Sequence, residues 1–337
     1  MVKQRVCVVG AGSWGTAVAG HMTKQGNEVR LWSHNPEVAR SINEEHTNPV
    51  YLPACKLGEG VVSSTDHAWC LEGADAVLFV VPSSHLRSVA RDCSPFIAPD
   101  LPVCVLTKGI EYGTNKLMTE VVEDELTRRN RIACLSGPNH AEEVCLDMPA
   151  GAVAASSDLA CAEYFKDLFN ADLFRTYVST DEVGVEVCAA AKNVVAIACG
   201  VVKGLSFGDN TLSVIMTRGL AEMSRIVAAR GGDPMTCMGL AGMGDLVATC
   251  TSAHSRNQTF GAALAKGETL ESYEARTHMV VEGARACHSI LHMARELGVE
   301  VPLTEAVHAL LYEGTPLPEI AEALFRRTPR MEFYGLD

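Results

Sequence analysis

Short apolar runs alternate with helix-like stretches along the first half of the chain. Apolar, β-branched runs of about four to eight residues are typical of buried strands, and apolar positions three and four apart are typical of helices. The pattern predicts strands at Arg5–Val9, Glu28–Trp32, Ala76–Val81, Val103–Thr107, Ile132–Ser136, Ala150–Ala155 and Leu173–Val178. It predicts helices at Trp14–Gln25, Pro36–Glu45, Ser84–Cys93, Lys116–Arg129 and residues 158–169. This alternation indicates βαβ units in a doubly wound, largely parallel α/β sheet.

From about Asp181 the alternation stops and helical periodicity prevails. Helices are predicted at Asp181–Val202, Leu212–Ala229, Gln258–Leu264, Glu282–Leu297 and Thr304–Tyr312, and no element is assigned to residues 326–337. A chain of 337 residues is long enough for two domains of about 150 residues each. We therefore expect an α/β domain over residues 1–180 and an all-helical domain over residues 181–337.

Composition narrows the classes of partner. A net charge of -13 disfavours nucleic acid and anionic membranes, so any small anion must be bound by local basic groups and amides. The 13 cysteines include no C-x-x-C pair, which favours a reduced, cytoplasmic protein. We expect no membrane insertion, because the chain shows neither a signal-peptide pattern nor an uninterrupted apolar stretch of about 18 residues.

A glycine motif stands where the first predicted strand meets the first predicted helix. Gly10, Gly12 and Gly15 form G-x-G-x-x-G directly after Arg5–Val9. In this context Gly10 permits a tight turn, Gly12 lets the backbone approach a pyrophosphate, and Gly15 lets helix and strand pack closely. The motif therefore predicts a Rossmann-like domain that binds a nicotinamide dinucleotide.

The end of the second strand bears on the choice of dinucleotide. Folds that select NAD usually place a carboxylate there to bind the ribose 2′-hydroxyl, but this chain has Ser33-His34-Asn35 and no carboxylate before Glu37. NADP(H) is therefore favoured and NAD(H) stays open. His34 is either a contact to the 2′-phosphate or adenine, or a residue of a surface loop.

Lys192 is the one charged residue between Val187 and Val202. Lysine is rarely buried without a partner, and desolvation would lower its pKa towards the range useful for proton transfer. The functional interpretation is a catalytic acid/base. The alternative is a lysine that reaches solvent from a helix face.

Two further segments carry polar groups suited to a small anionic substrate, and a third supplies a carboxylate. Lys108 follows a predicted strand end, and Ser255-Arg256-Asn257 precedes a predicted helix, where a cap, free amides and a guanidinium could hold one phosphate. Asp245 follows Gly242-Met-Gly244 and either orients Lys192 or caps a helix. His288 and His292 lie four apart without other ligands, so we expect two surface histidines and no metal site.

Together these segments resemble the bacterial-type NAD(P)-dependent glycerol-3-phosphate dehydrogenases over nearly the whole chain. The matching segments are GAGSWGTA (10–17), TKGIE (107–111), SGPNHAEEV (136–144), AAAKNVVAI (189–197), TRGLAEM (217–223), GLAGMGDLVATCTSAHSRN (239–257) and VVEG (280–283). The resemblance implies interconversion of sn-glycerol 3-phosphate and dihydroxyacetone phosphate, mainly to supply phospholipid synthesis.

The resemblance also implies roles for individual residues. Lys192 would be the acid/base. The substrate would contact Lys108, Gly137, Asn139, Lys192, Asp245, Ser255, Arg256 and Asn257, and the dinucleotide would contact Gly10, Gly12, Ser13, Trp14, Gly15, His34, Lys108, Ala141, Arg256, Val280 and Glu282. Many relatives have Ser or Thr where Asn139 stands, which weakens the assignment of that residue more than the function.

Two alternatives stay open at this stage. A β-hydroxyacid dehydrogenase also uses a lysine at the start of a helical domain, but it acts on carboxylates and lacks the GMGDL and SRN segments in this arrangement. A non-catalytic NADP-binding protein would keep the glycine loop but has no reason to place Lys192 in an apolar helix. A homodimer is compatible with such folds, although the chain gives no interface signal.

Overall fold

The chain divides into two compact units. The structure is a computed structural model that describes residues 3–126, 131–277, 280–332 and 334–336. The first unit comprises Met1–Thr107 and Met118–Glu182, and the second comprises Lys108–Leu117 and Val183–Asp337. We call them the α/β unit and the helical unit. The short segment Lys108–Leu117 thus packs with the helical unit although it lies within the first half of the sequence.

The α/β unit is organised around one sheet. Its described strands are β1 (Arg5–Val9), β2 (Glu28–Trp32), β3 (Thr47–Asn48), β4 (Leu52–Lys56), β5 (Val61–Ser64), β6 (Ala76–Phe79), β7 (Val103–Val105), β8 (Ile132–Ser136), β9 (Ala150–Ala155) and β10 (Phe174–Ser179). Eight of them form a sheet in the order β10-β9-β8-β7-β6-β1-β2-β5, and β3 pairs with β4 in a separate hairpin. All neighbours in the large sheet run parallel except β8 and β9, which confirms the largely parallel prediction.

Helices cover both faces of this sheet, as the buried, continuous apolar strands require. They are α1 (Ser13–Lys24), α2 (Pro36–Glu45), α3 (His67–Leu71), α4 (Ser83–Cys93), α5 (Met118–Glu125), α6 (Ala141–Cys145) and α7 (Leu159–Phe169), with a 3₁₀ turn at Ser94–Phe96. Alternate residues of β1 show the two-sided burial: Val6 and Val8 belong to one core, and Cys7 and Val9 belong to the other.

Several predicted bounds need correction. The strands predicted to reach Val81 and Thr107 end at Phe79 and Val105. The helix predicted over Lys116–Arg129 begins at Met118 and ends at Glu125, since Lys116 bonds back to Glu111; residues 127–129 lie outside the described part of the chain.

From residue 183 onward, every regular element that the structure describes is a helix or a helical turn. They are α8 (Glu182–Gly204), α9 (Asp209–Ala229), α10 (Asp245–Thr251), α11 (Arg256–Leu264), α12 (Leu270–Thr277), α13 (Glu282–Leu297), α14 (Pro302–His308) and α15 (Leu317–Phe325), with shorter 3₁₀ or π turns at Pro234–Met238, Leu240–Gly244 and Ala309–Glu313. The sequence pattern missed α10, α12 and α15 and started α9 three residues late.

Helix α8 is the centre of this unit. Every residue from Gly184 to Val202 is buried, including Lys192. Its length and hydropathy would suit a membrane span, but the helix is fully buried inside the unit, as a core helix is.

One of the two histidines of α13 differs from the expectation of two surface residues. His292 is exposed, as predicted, but His288 is partly buried. The His288 ring lies 5.0 Å from the ring of Tyr112, 5.2 Å from that of His308 and 5.8 Å from that of Tyr312. His288 is therefore part of an aromatic cluster, because ring contacts compensate for the burial of its apolar edge.

Candidate active site

The glycine loop of the α/β unit lies where the strand order reverses. Strand β1 lies between β2 and β6, with Val9 level with Trp32 on one side and Phe79 on the other. Open α/β sheets bind ligands at this point, beyond the carboxyl ends of the strands. Gly10 has a φ of +123°, and a Cβ there would lie 2.8 Å from the carbonyl oxygen of Val80.

The start of α1 is shaped to receive an anion. A Cβ on Gly15 would lie 1.8 Å from the carbonyl oxygen of Gly10, so this residue type alone allows the helix to begin so close to the loop. Gly12 is the N-cap and provides no side-chain cap, and the first turn carries no acidic residue. The amides and the helix dipole therefore suit a pyrophosphate. A dinucleotide fits these residues.

Two neighbours fix the loop, and the sequence did not single them out. Asn48, which is buried, donates to the carbonyl of Ala11 (2.8 Å) and to the hydroxyl of Thr16 (2.8 Å). The Ser13 hydroxyl donates to the carbonyl of Tyr51 (2.7 Å). Both contacts come from the short β3–β4 hairpin, which the sequence pattern did not predict.

The end of β2 presents His34 to solvent. The preceding Ser33 is buried, and its hydroxyl donates to the carbonyl of Asn35 (3.0 Å). The Asn35 side chain in turn caps α2 by accepting from the amide of Glu37 (2.9 Å). His34 is therefore the side chain of this turn that is free to face a ligand.

Three further candidate residues of the α/β unit follow β8. Gly137 and Asn139 lie in the loop between β8 and α6, and Ala141 is the first residue of α6. Asn139 and Ala141 are both buried, each at 7% exposure. They stand at the same edge of the sheet as the glycine loop, since β1 and β8 both run parallel to β6 and β7.

In the helical unit, the buried Lys192 and Asp245 form a charged cluster with the partly buried Lys108. Lys192 of α8 donates to Oδ1 of Asp245 at 2.6 Å, and Lys108 donates to Oδ2 of the same carboxylate at 2.9 Å. Lys192 also donates to the hydroxyl of Thr249 (2.7 Å), which donates to the carbonyl of Asp245 (2.6 Å). Lys192 is 4% exposed and Asp245 is 2% exposed. The ammonium is thus oriented rather than extended towards solvent.

The electrostatics of the cluster favour proton transfer near neutrality. Burial lowers the pKa of Lys192 to about 8; the Asp245 carboxylate opposes this fall, and the neighbouring Lys108 adds to it. Burial opposes ionisation of Asp245, but Lys108 and Lys192 outweigh it and lower the pKa of that carboxyl. Asp245 is therefore ionised at neutral pH, while Lys192 titrates within the range of a general acid/base.

The start of α11 holds the predicted anion segment. Ser255 is buried and is the N-cap, with its hydroxyl accepting from the amide of Gln258 (3.3 Å). Arg256 begins the helix and is exposed, and it forms no ion pair among the residues that the structure describes. A guanidinium, a hydroxyl and first-turn amides at one helix start are suited to a phosphate.

The side chain of Asn257 has a structural task. It donates to Oδ1 of Asn193 (3.0 Å), and its own Oδ1 accepts from the amide of Gly283 (2.9 Å). It therefore ties α11 to α8, beside Lys192, and to the start of α13. Of the other candidates, Glu282 is the first residue of α13 and Val280 lies two residues before it.

A close helix crossing sets the position of α11. A Cβ on Gly200 of α8 would lie 2.1 Å from the carbonyl oxygen of Gln258, and one on Gly261 would lie 2.1 Å from that of Ile197. Glycine at both positions lets the backbones touch. The start of α11 is thereby held by the same helix that carries Lys192.

Comparisons with known proteins agree across both units. Residues 5–162 match the family profile described as NAD-dependent glycerol-3-phosphate dehydrogenase N-terminus, and residues 181–322 match the one described as its C-terminus. A glycerol-3-phosphate dehydrogenase [NAD(P)+] of Corynebacterium aurimucosum is 45% identical over 97% of this chain and 99% of its own length. One of Enterococcus faecalis is 42% identical over 98% of both chains.

Solved structures give the same result. The crystal structure of a glycerol-3-phosphate dehydrogenase of Coxiella burnetii has a TM-score of 0.92 to this chain, with 35% identity, and the match covers 96% of this chain and 99% of the other. A Plasmodium falciparum glycerol-3-phosphate dehydrogenase, at 23% identity, shares the fold with a TM-score of 0.88 over 98% and 97% of the two chains. This chain belongs to the NAD-dependent glycerol-3-phosphate dehydrogenase family, whose members are oxidoreductases.

Proposed function

We propose that this chain interconverts sn-glycerol 3-phosphate and dihydroxyacetone phosphate with a nicotinamide dinucleotide, with NADP(H) favoured over NAD(H). The observation that supports the proposal is the Lys192–Asp245–Lys108 cluster, with α11, whose start suits an anion, bonded to the same helix as Lys192. Turnover of dihydroxyacetone phosphate with NADPH tests it directly, and a small 2-keto acid as substrate separates it from a carboxylate-specific dehydrogenase. Failure to consume NADPH or NADH with dihydroxyacetone phosphate would refute it.

Lys192 is the proposed acid/base. In the direction of reduction its ammonium donates a hydrogen bond to the C2 carbonyl oxygen and then the proton that completes the hydroxyl group. In oxidation the neutral amine accepts that proton. Asp245 and Thr249 hold Nζ in place at 2.6 and 2.7 Å, so little reorientation is needed during proton transfer.

Lys108 is the proposed second contact to the reacting oxygen. Its ammonium lies on the opposite oxygen of the Asp245 carboxylate, so the carboxylate fixes both cations. Two cations beside the C2 oxygen stabilise the negative charge that develops there in the transition state. Gly137 and Asn139 stay proposed substrate contacts from the α/β unit.

Ser255, Arg256 and Asn257 are the proposed phosphate ligands. The Ser255 hydroxyl accepts from Gln258 and still has its own proton to donate, and Arg256 has no competing ion pair among the described residues. The side-chain amide of Asn257 bonds to Asn193 and Gly283. We therefore assign the backbone N–H of Asn257, in the first turn of α11, to the phosphate. Binding energy from the phosphate then orients the carbonyl.

The dinucleotide would lie on the glycine loop and the start of α1. Gly10, Gly12, Ser13, Trp14 and Gly15 are its proposed ligands in the α/β unit, with His34 and Ala141, and Lys108, Arg256, Val280 and Glu282 are proposed from the helical unit. When bound, the nicotinamide would supply or accept the hydride at C2. No metal is part of this proposal.

The wider role follows from the proposed reaction. The product sn-glycerol 3-phosphate is the backbone of glycerophospholipids, so supply of that backbone is the proposed cellular task. A cytoplasmic location and a homodimer also remain proposals. The proposed location agrees with the burial of α8, which lies in the core of its unit and not against a membrane.

His34→Asp should move cofactor preference from NADPH towards NADH. The new carboxylate would repel a 2′-phosphate and accept from a ribose hydroxyl, so the ratio of kcat/KM for NADPH to that for NADH should fall by about tenfold, which is about 1.4 kcal/mol. Position 34 is the one to change, because Ser33 is buried and bonded within the turn. Glu37→Gln, at an exposed acid on α2, is the control. An unchanged ratio in His34→Asp would place the 2′-phosphate elsewhere.

The pH dependence of both directions should reflect Lys192. Reduction needs the protonated amine, so its kcat/KM should fall as pH rises through about 8, and oxidation should lose kcat/KM as pH falls through the same value. Asp245→Asn removes the negative charge that favours protonation of Lys192. The pH at which kcat/KM for reduction falls should therefore be lower in this variant. The control is Asp209→Asn, at an exposed acid of α9. If this pH is unchanged in Asp245→Asn, the pH dependence arises from the titration of a group other than Lys192.

A further inference from the structure

The helical unit contains a cavity that takes no part in the proposed reaction. It has a volume of about 610 Å³ and is lined by α8, α9, α14, α15 and the segment after α15. Its apolar walls include Val201, Val214, Ala306, Ile320 and Leu324. Cavities of about 300–1,000 Å³ bury most of the surface of a drug-sized ligand. None of the proposed catalytic or phosphate-binding residues is part of the described lining.

Basic groups collect at this cavity in an acidic protein. Four arginines and two glutamates line it, whereas the whole chain has a net charge of -13. The arginines are Arg218 and Arg225 of α9 and Arg327 and Arg330 of the segment after α15. Glu300, outside the lining, pairs with Arg327 and Arg330, so the arginines exceed the nearby carboxylates by one. In so acidic a chain, a local excess of positive charge favours an anionic ligand.

One of these arginines is buried and fixed. Arg225 is 5% exposed, and its Nε and Nη2 donate to the carbonyl of Glu300 at 3.2 and 2.9 Å. Its guanidinium also lies 4.5 Å from the ring centroid of Tyr334, and that of Arg330 lies 5.1 Å from the same ring. Arg225 is therefore a buried cation with a fixed orientation, and the half-exposed Arg330 is held against the same ring.

Arg327 and Arg330 keep N–H donors available. Arg327 and Arg330 each donate one N–H to the Glu300 carboxylate, at 3.1 and 3.0 Å, and a guanidinium carries five N–H groups. Of the lining glutamates, Glu332 pairs with Arg218 at 3.0 Å. Glu222 faces the amides of Leu303 and Thr304. The acids are therefore occupied within the protein, and the spare donors are those of the arginines.

We propose that this cavity binds a single long alkyl or acyl chain that ends in an anionic head. The apolar walls would bury the chain, and the arginines of α9 and the final segment would hold a carboxylate or phosphate. Exposed apolar side chains at the cavity, Phe207 at 48% and Phe325 at 78%, offer further surface for the chain to cover. Each buried methylene contributes about 0.8 kcal/mol, so affinity should rise with chain length until the cavity is filled.

Calorimetric titration of the full-length protein with matched amphiphiles tests the proposal. The probes are tetradecanoate, tetradecyl phosphate and tetradecyltrimethylammonium, each below its micelle-forming concentration, with decanoate and dodecanoate as a length series. Both anions should bind with one site per chain, the cation at least about tenfold more weakly, and affinity should rise two- to fourfold per methylene. Tighter binding of the carboxylate or of the phosphate identifies the preferred head group.

Two variants and a control localise the site. Arg327→Gln with Arg330→Gln should weaken anion binding at least about tenfold. Arg326→Gln, at a neighbouring arginine outside the lining that pairs with Glu322, should change it less than twofold. Val214→Trp, at a half-exposed lining position, should abolish binding by filling the cavity. Dehydrogenase turnover should persist in all of them, which shows that they fold.

Three results would overturn the proposal. Equal affinity for the anionic and cationic probes would show non-specific adsorption to apolar surface. Unchanged binding in a folded Val214→Trp protein would place the ligand elsewhere. The third is a wild-type protein that binds no amphiphile and is a dimer by light scattering, while Val214→Trp is a monomer. A second copy of the chain would then occupy the cavity.

Discussion

Lys192→Ala is expected to lower kcat for the reduction of dihydroxyacetone phosphate by ~10²–10⁴-fold, the usual contribution of a positioned general acid. The loss arises because no other described group near Asp245 combines burial with a pKa of about 8. The Kd of NADPH should stay within about threefold of wild type, since the pyrophosphate is assigned to the glycine loop. Steady-state kinetics and equilibrium titration of NADPH measure the two effects separately.

The control for this variant comes from the same helix. Lys203 lies near the end of α8, where its ammonium donates to the carbonyl of Thr251 (3.2 Å). Lys203→Ala should therefore leave kcat within about twofold. Removing one partner of a buried ion pair commonly costs ~3–5 kcal/mol of stability, but Asp245 keeps Lys108 as a partner in Lys192→Ala, so the cost should be smaller. Thermal unfolding confirms that the variant is folded at the assay temperature.

Chemical rescue distinguishes catalysis from structure. A small primary amine such as methylamine can enter the space left by Lys192→Ala and return part of the lost rate, and the rescue should follow the concentration of the protonated amine in reduction. Rescue should be absent in wild type and in Lys203→Ala. A folded Lys192→Ala protein with nearly normal kcat would refute the catalytic assignment.

Most of the sheet could be predicted because strands such as β1 and β8 are buried on both faces. Such strands read as continuous apolar runs, and β1, β2, β8 and β9 have the bounds that the pattern predicts. The hairpin β3–β4 and strand β5 escaped prediction for the opposite reason. Residues 47–64 are interrupted by Pro49, Pro53, Gly58 and Gly60, and their short strands form through pairing with neighbours rather than through a local pattern.

Site residues could be predicted from the sequence where a residue differs in polarity from its neighbours along the chain. Lys192 interrupts a long apolar helix, and the structure places it against Asp245, 53 positions along the chain. Thr249 gave no such signal, because a threonine on a helix turn is ordinary and its bond to Lys192 depends on how α10 packs against α8. The same holds for Asn193 and Asn48, whose amides become important through partners distant in sequence.

The segment Lys108–Leu117 shows the limit of pattern-based division. Its position among predicted strands and helices suggested that it belonged with the sheet, whereas its contacts group it with the helical unit. Asn115 explains the grouping: its Nδ2 donates to Nδ1 of His292 (2.7 Å) and to the carboxylate of Glu296 (2.6 Å) on α13. These bonds join residues about 180 positions apart, which no periodicity of the chain can reveal.

Arg256→Ala should lower activity towards a phosphorylated substrate and leave activity towards an unphosphorylated one nearly unchanged. Charge-assisted bonds to phosphate commonly contribute ~1.5–3 kcal/mol, so kcat/KM for dihydroxyacetone phosphate should fall about 10–100-fold. For unphosphorylated dihydroxyacetone, which lacks the group that Arg256 is assigned to bind, the same variant should change kcat/KM less than twofold. The comparison isolates the phosphate because both substrates present the same carbonyl to Lys192.

Phosphite provides a second test of the same assignment. Added phosphite should occupy the start of α11 and accelerate turnover of dihydroxyacetone by the wild type, and the acceleration should be much smaller in Arg256→Ala. Arg276→Ala, at an exposed arginine of α12 that pairs with Glu268 at 3.0 Å, is the matched control and should behave as wild type. The Kd of NADPH is measured for each variant, because Arg256 is also a proposed dinucleotide contact. Equal losses for both substrates at unchanged NADPH affinity would show that Arg256 does not bind the substrate phosphate.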